Sequence, residues 1–167
     1  MKLKSLSSLF ADQSQDKLKA EILWTLNMVE SHYSCKSSEK SNELFSAMFP
    51  DSILAKNFSC GETKSRYMIT FGLAPYFLDT LKERVKAEND YVLLFDESLN
   101  RKNKMKQMDM HIRIWHNELV ETHYLSSEFL GHATSSVLED TIEKTLNENG
   151  FARKKLLQLS MDGPAVN

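Results

Sequence analysis

The sequence is poor in the residues that mark several protein classes. Only two cysteines, three prolines and five glycines occur in 167 residues, which excludes disulfide scaffolds, collagen-like repeats and low-complexity chains. No run of eighteen apolar residues is present, so we expect no membrane span and no membrane partner. The first fifteen residues contain no apolar stretch long enough for a signal peptide, so we expect none. We therefore expect an intracellular protein, nuclear or cytoplasmic, in which Cys35 and Cys60 are reduced.

An excess of charge of either sign is also missing. The chain has 21 Lys and Arg against 23 Asp and Glu, a net charge of -2, which excludes a strongly basic, histone-like binder but leaves room for local patches. Glycine-rich phosphate loops, Gly-x-Ser-x-Gly elbows and CxxC pairs are absent as well. The length and the 41% hydrophobic content allow one domain with a real core, or one domain with an appendage.

Residues 1–88 read as a helical region. The first helix is predicted to begin near Asp16, because apolar residues then recur at helical spacing, at Leu18, Ile22, Leu26 and Val29. Ser41 is a candidate N-cap for a second helix that Pro50 stops. A third helix is expected to end at Gly72, and Pro75 begins the next. The apolar face of that last helix is formed by Leu78, Leu81 and Val85.

From about residue 90 the hydrophobic period changes from 3.6 to 2. Residues 91–96 form a short apolar run typical of a buried strand, and residues 108–115 alternate between apolar and polar. A turn at 116–118 leads into a third strand over 119–126. Capping-box spacing at Ser136 and Glu139 opens a helix that ends at 149–150, before a strand over 155–162. Residues 89–167 are thus predicted as β-β-β-α-β, and the fold class as α+β.

With this order of elements, two aspartates become candidates for a metal site. A right-handed crossover would place the fourth strand parallel to the first and beside it. Asp96 and Asp162 stand at the C-terminal ends of these two strands, where their carboxylates would be neighbours. Carboxylate oxygens are the ligands that Mg²⁺ and Mn²⁺ prefer, and two such ions can clamp a phosphodiester. Aspartates at strand ends also serve simply as turn or cap residues, so both interpretations remain open.

Four segments of the chain resemble the hAT superfamily of transposases and the host proteins derived from them. They are SRYMITFGLAPYF, VLLFDESLN, QMDMHIRIWHNELVETHYLSSEFLGHAT and LLQLSMDGPAVN. The resemblance covers about residues 17–167. It implies an N-terminal helical stretch followed by an RNase H-like DDE nuclease domain, which cuts and joins DNA ends with two divalent metal ions. Asp96 and Asp162 match the first two acidic positions of that family.

The sequence also departs from the family pattern. The third acidic residue of the family, a glutamate on a later helix, and a large helical insertion are absent from these residues. No zinc-finger spacing of Cys and His is present, so no zinc is expected. We therefore expect a truncated, transposase-derived protein that binds Mg²⁺ or Mn²⁺ weakly and is inactive as an enzyme by itself. The alternative is a host interaction or scaffold protein, domesticated from a transposase, without nuclease chemistry.

Other charged residues are also candidates for metal or DNA contacts. Glu97 is predicted to point to the sheet face opposite Asp96, and Glu128 is a weak candidate for the missing glutamate. The four histidines at 111, 116, 123 and 132 match no metal motif. The first hairpin has a basic cluster that either contacts DNA phosphates or is a solvated tip, formed by Arg101, Lys102, Lys104 and Lys106. We also expect an exposed sheet edge through which copies self-associate.

Overall fold

The computed structural model describes residues 6–88, 90–131 and 134–161. The chain divides into two compact units, residues 1–76 and 77–167. The predicted α+β class is confirmed, because helices precede a mixed sheet of four strands. None of the helices in the described ranges is both long and apolar enough to cross a membrane.

The first unit is built from α1 (Leu6–Glu30), α2 (Ser41–Met48), α3 (Ile53–Asn57) and α4 (Glu62–Met68). The predicted start of α1 at Asp16 is ten residues too late. The residues at helical spacing are not the most buried ones: Leu18 and Val29 are 51% and 45% exposed, whereas within residues 14–30 the fully buried side chains are Glu21, Thr25 and Met28. The polar side chains of Glu21 and Thr25 can be buried because neighbouring polar groups form hydrogen bonds with them.

Two predicted helix boundaries are also wrong. Ser41 is the first residue of α2 and not its N-cap, which is Lys40. The Ser41 side chain is buried, and its hydroxyl lies within hydrogen-bond distance of the carbonyl oxygens of Ser38 (2.8 Å) and Cys60 (3.1 Å). Gly72 ends no helix, because a π-helical turn over Ile69–Leu73 leads from α4 directly into α5 (Ala74–Ala87). The wider turn relieves the clash that the ring of Pro75 would cause in a regular helix.

The second unit contains α5 from residue 77 onward, α6 (Ser135–Asn149) and the four strands β1 (Tyr91–Asn100), β2 (Met105–His116), β3 (Leu119–Leu130) and β4 (Leu156–Met161). The order in the sheet is β3-β2-β1-β4, with β1 antiparallel to β2 and parallel to β4. The predicted succession β-β-β-α-β is therefore confirmed. Strand β1 runs four residues beyond its predicted end, because it keeps pairing with β2 up to Met105.

One face of the sheet, here called the core face, is covered by α5 and α6. The predicted alternation along β2 is confirmed, since Met108, Met110, Ile112 and Ile114 are all buried. They pack in one cluster with Leu81 and Val85 of α5 and with Ile142 and Leu146 of α6. Burying a side chain of this size contributes roughly 1.5–3 kcal/mol. The opposite face, here called the open face, contributes nothing to this cluster.

Two turns position the strands. Asn117 and Glu118 join β2 to β3 with φ of 48° and 65°, the conformation of a two-residue type I′ hairpin. Helix α6 is capped by Thr134, whose hydroxyl accepts from the Val137 N–H at 3.4 Å, and not by Ser136 as predicted. Its end at Gly150 is confirmed, because that residue adopts the left-handed conformation with φ of 69°.

Candidate functional site

The open face brings together two carboxylates on neighbouring strands. Asp96 is exposed on β1, and its Cα partner on β2 is Asp109. Both lie on the open face, because the residues that flank Asp109, Met108 and Met110, are buried on the core face. Opposed residues of an antiparallel pair have Cβ atoms about 5 Å apart. Two acidic side chains therefore face the same solvent at one level of the sheet.

From the sequence, Asp109 is expected to be a polar residue of the second strand outside the cation site, whereas the structure places it directly opposite Asp96. Its Oδ1 accepts hydrogen bonds from the Ser127 hydroxyl and from Nε2 of Gln107, the latter at 2.7 Å. The hydrogen bond from Ser127 above all, then that from Gln107, lowers the pKa of Asp109 below its ordinary value. Asp109 could have been identified from the pairing register of the β1–β2 hairpin, because that register determines which residue lies opposite Asp96.

Strand β4 pairs with the other edge of β1 up to Phe95, the residue before Asp96. Leu93 pairs with Leu159, and Phe95 pairs with Met161, in the parallel ladder between β1 and β4. The prediction that these two strands are neighbours is confirmed. Asp96 directly follows Phe95 in the sequence, and Asp162 directly follows Met161. Asp162 itself lies outside the described residues, so its role in a cation site stays a prediction.

The two glutamates considered for the site lie on the other side of the sheet. Glu97 and Glu128 are both Cα partners of Met108, which is buried on the core face. Glu97 is paired with Lys106 at 3.2 Å, and Glu128 with Lys144 at 3.7 Å. Neither carboxylate therefore shares a face with Asp96.

The basic cluster lies at the tip of the β1–β2 hairpin. Arg101, Lys102 and Lys104 are exposed in the four-residue turn, whereas Lys106 lies in β2 and is paired with Glu97. The side chain of Asn100 holds the turn, since its Oδ1 accepts from two backbone N–H groups at 3.2 and 3.1 Å. At about 3.4 Å per residue, Arg101 lies about 17 Å along the strand from Asp96.

Three histidines of the described sheet strands, His111, His116 and His123, contact carboxylates or an aromatic ring and do not converge on one site. His111 packs edge-on against Tyr124 with ring centroids 5.8 Å apart. His116 Nδ1 lies 2.9 Å from Glu88, and His123 Nε2 lies 2.9 Å from Glu121. His132 lies outside the described residues. Within 6–88, 90–131 and 134–161, no group of three or more His, Cys, Asp or Glu is placed to hold a metal ion.

The open face also has an apolar part near the β2–β3 turn. Trp115 and Val120 are Cα partners and are 61% and 59% exposed, and Leu157 is 69% exposed. Together with Val92 and Arg113 they line a cavity of about 400 Å³. Exposed apolar surface of this kind marks binding surfaces in many proteins.

A buried polar cluster in the first unit was not predicted. The carboxylate of Glu21, which is 1% exposed, contacts Lys64 Nζ at 2.6 Å and the backbone N–H of Ser59 at 3.2 Å. Beside it, the buried thiol of Cys60 lies 3.5 Å from the hydroxyl of Thr25. These groups bind one another, so the cluster stabilises the helices. No sequence pattern distinguishes such a glutamate from a solvated one.

Comparison of the chain with protein-family models, with curated proteins and with solved structures gave no match. The resemblance to hAT transposases therefore stays a prediction, and its functional content is argued below from the residues.

Proposed function

We propose that the chain is a transposase-derived protein of the hAT lineage, whose sheet is the core of an RNase H-like nuclease domain. The observation that carries the proposal is the sheet order. Strands β2 and β3 are antiparallel to β1 on one side, and β4 lies parallel to β1 on the other. An RNase H-like domain begins with this arrangement, and on this proposal Asp96 is its first acidic residue.

The chemistry proposed for this site is binding of a divalent cation by Asp96 and Asp162. The donor set suits Mg²⁺ or Mn²⁺, because carboxylate oxygens are the ligands that these hard cations prefer. Asp96 is exposed and therefore open to a cation from solvent. A bound cation would supply charge neutralisation for a phosphodiester. Asp109, a carboxylate whose pKa is lowered by its hydrogen bonds, lies opposite Asp96 and adds negative charge on the same face.

DNA is the partner that this chemistry implies. Arg101, Lys102 and Lys104 are exposed in the turn that follows β1. Asp96, predicted to end that strand, instead lies within it, about 17 Å from Arg101 along the strand. Basic side chains contact phosphates without reading the base sequence. We propose that they hold the DNA backbone while the carboxylates approach a phosphate through the cation. Because the family uses three acidic residues, we expect residues 1–167 on their own to bind a cation without cutting DNA.

A second candidate function is an interaction scaffold without nuclease chemistry. The apolar part of the open face favours it, since Trp115, Val120 and Leu157 are each more than half exposed. In this case the sheet would bind a protein partner through that surface, and the carboxylates would serve only as solvated strand residues.

Titration with Mn²⁺ under NMR observation tests the metal proposal. We expect paramagnetic broadening centred on the amides of residues 96 and 162, with a dissociation constant of roughly 1 mM, or about -4 kcal/mol, because two protein ligands leave most positions to water. Asp96→Asn and Asp162→Asn should each abolish the broadening. DNA incubated with the chain and Mn²⁺ should remain uncut.

The matched control is Asp140→Asn, which removes an exposed aspartate from α6 and should leave the titration unchanged. Asp109→Asn does not serve as a control, because Asp109 lies opposite Asp96. Broadening centred on His111 and His123 would contradict the assignment of the site. A lack of any broadening would remove the metal chemistry and favour the scaffold.

A further inference from the structure

The outer edge of β3 is the feature of the sheet that the proposed function does not use. Strand β3 lies at the end of the sheet order and pairs only with β2 in the described part of the chain. Its twelve residues include no Lys, Arg or Pro, the residues that proteins place on edge strands to prevent pairing with other chains. Leu119, Val120 and Tyr124 remain exposed.

The hairpin turn determines which backbone groups of β3 point outward. In a two-residue type I′ turn the N–H of the residue after the turn, Leu119, bonds back to the strand before it. Backbone groups alternate sides along a strand. The N–H and C=O groups of Val120, Thr122 and Tyr124 therefore point away from β2. An incoming strand would find three consecutive sites for backbone pairing.

The sequence around Thr122 is complementary to itself in the antiparallel direction. With Thr122 opposite its own copy, Val120 opposes Tyr124, and Glu121 opposes His123. Aromatic with β-branched pairs stabilise antiparallel strands, and a ring nitrogen of histidine can share a hydrogen bond with a carboxylate. Glu121 and His123 already contact each other at 2.9 Å within one chain, and Glu121 also contacts Arg84 at 3.3 Å. Two copies would therefore bring two such pairs together.

We propose that the chain forms a two-fold dimer in which β3 pairs with β3 of a second copy, antiparallel and centred on Thr122. The three outward-facing residues give three hydrogen-bonded pairs across the axis, with two hydrogen bonds in each pair. The two sheets join into one sheet of eight strands. On the open face, the apolar pair of Trp115 and Val120 continues across the axis to Tyr124 of the second copy.

Charge disfavours the register that would pair the whole strand. Pairing centred between Tyr124 and Leu125 would extend along the whole strand, but it would place Glu121 opposite Glu128, and like charges directly opposite are destabilising. The register irregularity of β3 also lies there, since Tyr124 and Ser126 face consecutive residues of β2 and Leu125 is the extra residue. A bulge interrupts continuous pairing with a new strand. The dimer is therefore limited to the first half of β3.

Cysteine cross-linking in the full chain tests both the dimer and its register. Paired Cα atoms at a hydrogen-bonded antiparallel position lie about 5.5 Å apart, which is within the range that a disulfide spans. With Cys35 replaced by serine, Thr122→Cys should give a covalent dimer on mild oxidation. The matched variant Ser127→Cys, on the same face of β3, should not, because Ser127 lies beyond the paired half. The alternative register would cross-link neither variant alone.

Charge complementation gives a second readout that needs no oxidation. Thr122→Lys should weaken dimerisation in sedimentation velocity at least tenfold, because two ammonium groups meet across the axis, and Thr122→Glu should do the same. An equimolar mixture of the two variants should regain the dimer. This outcome is independent of cations and DNA. A chain that stays monomeric at all concentrations, a cross-link from Ser127→Cys alone, or a mixture without rescue would overturn the proposal.

Discussion

At the scale of single residues, the hydrogen bond that Ser127 donates to Asp109 on the open face lowers the pKa of that carboxyl. Ser127→Ala removes the hydrogen-bond donor that lowers the pKa of Asp109 most. The pKa of Asp109 should therefore rise toward its ordinary value. We expect a loss of about 1 kcal/mol in the free energy of unfolding at neutral pH, because the carboxylate is partly buried and keeps its bond from Gln107. The Asp109 carboxyl shift in a pH titration followed by NMR measures the pKa.

The pH dependence of this effect has a definite sign. A carboxyl whose pKa is lower in the folded state contributes stability above its unfolded pKa, about 3.9, and loses that stability as pH falls through the folded value. The difference between wild type and Ser127→Ala should therefore shrink below about pH 4. Ser126→Ala is the matched control, because the buried Ser126 hydroxyl has no hydrogen-bond partner among the described residues. An equal loss in both variants would contradict the role of Ser127.

At the scale of elements, the turn between β2 and β3 is conformationally strained at one position. Glu118 has φ of 65°, and a side chain with a Cβ atom is disfavoured in that region by about 1–2 kcal/mol. Glycine is the preferred second residue of a type I′ turn. We expect Glu118→Gly to raise the free energy of unfolding by about 0.5–1 kcal/mol, after the added entropy of the unfolded chain is subtracted. Urea denaturation measures it.

Glu118→Ala separates the effect of the backbone from the loss of the carboxylate. Alanine keeps the Cβ atom and therefore the strain, so its stability should stay close to that of wild type. If the glycine variant is no more stable than the alanine variant, then the turn does not hold the conformation described here.

At the scale of the whole molecule, the sheet unit contains its own core. All thirteen buried residues of the main hydrophobic cluster lie between Leu81 and Phe151, which is inside the unit of residues 77–167. We expect a fragment of residues 77–167 to fold without α1–α4. Circular dichroism should show a cooperative thermal transition, and the amides of β2 should be protected from hydrogen exchange.

A fragment of residues 90–167 is the matched comparison. It lacks Leu81 and Val85, which are 7% and 2% exposed in the core, and with them roughly 3–6 kcal/mol of burial. That is comparable to the whole stability of a small domain, so this fragment should be unfolded. Folding of both fragments would mean that α5 is not needed to cover the sheet.

The sequence by itself determined the elements of the sheet unit. Alternation at Met108, Met110, Ile112 and Ile114 was sufficient to predict β2 and its buried face, because a period of two has only one structural solution. The β-β-β-α-β order followed from such local patterns, and each of these element predictions succeeded because it depends on residues close together in the chain. The parallel pairing of β1 and β4 joins distant segments, and it followed from the right-handed crossover rule instead.

Only the tertiary structure decided which residues meet across the chain. Glu21 is buried because Lys64 and Ser59 bind its carboxylate from more than thirty positions away, and no local period contains that information. Asp109 opposes Asp96 because of hairpin register, which a shift of one residue would reverse. The physical reason is the same in both cases. Hydrophobic periodicity is a local property of the chain, whereas the partner of a polar group is determined by the packing of distant elements.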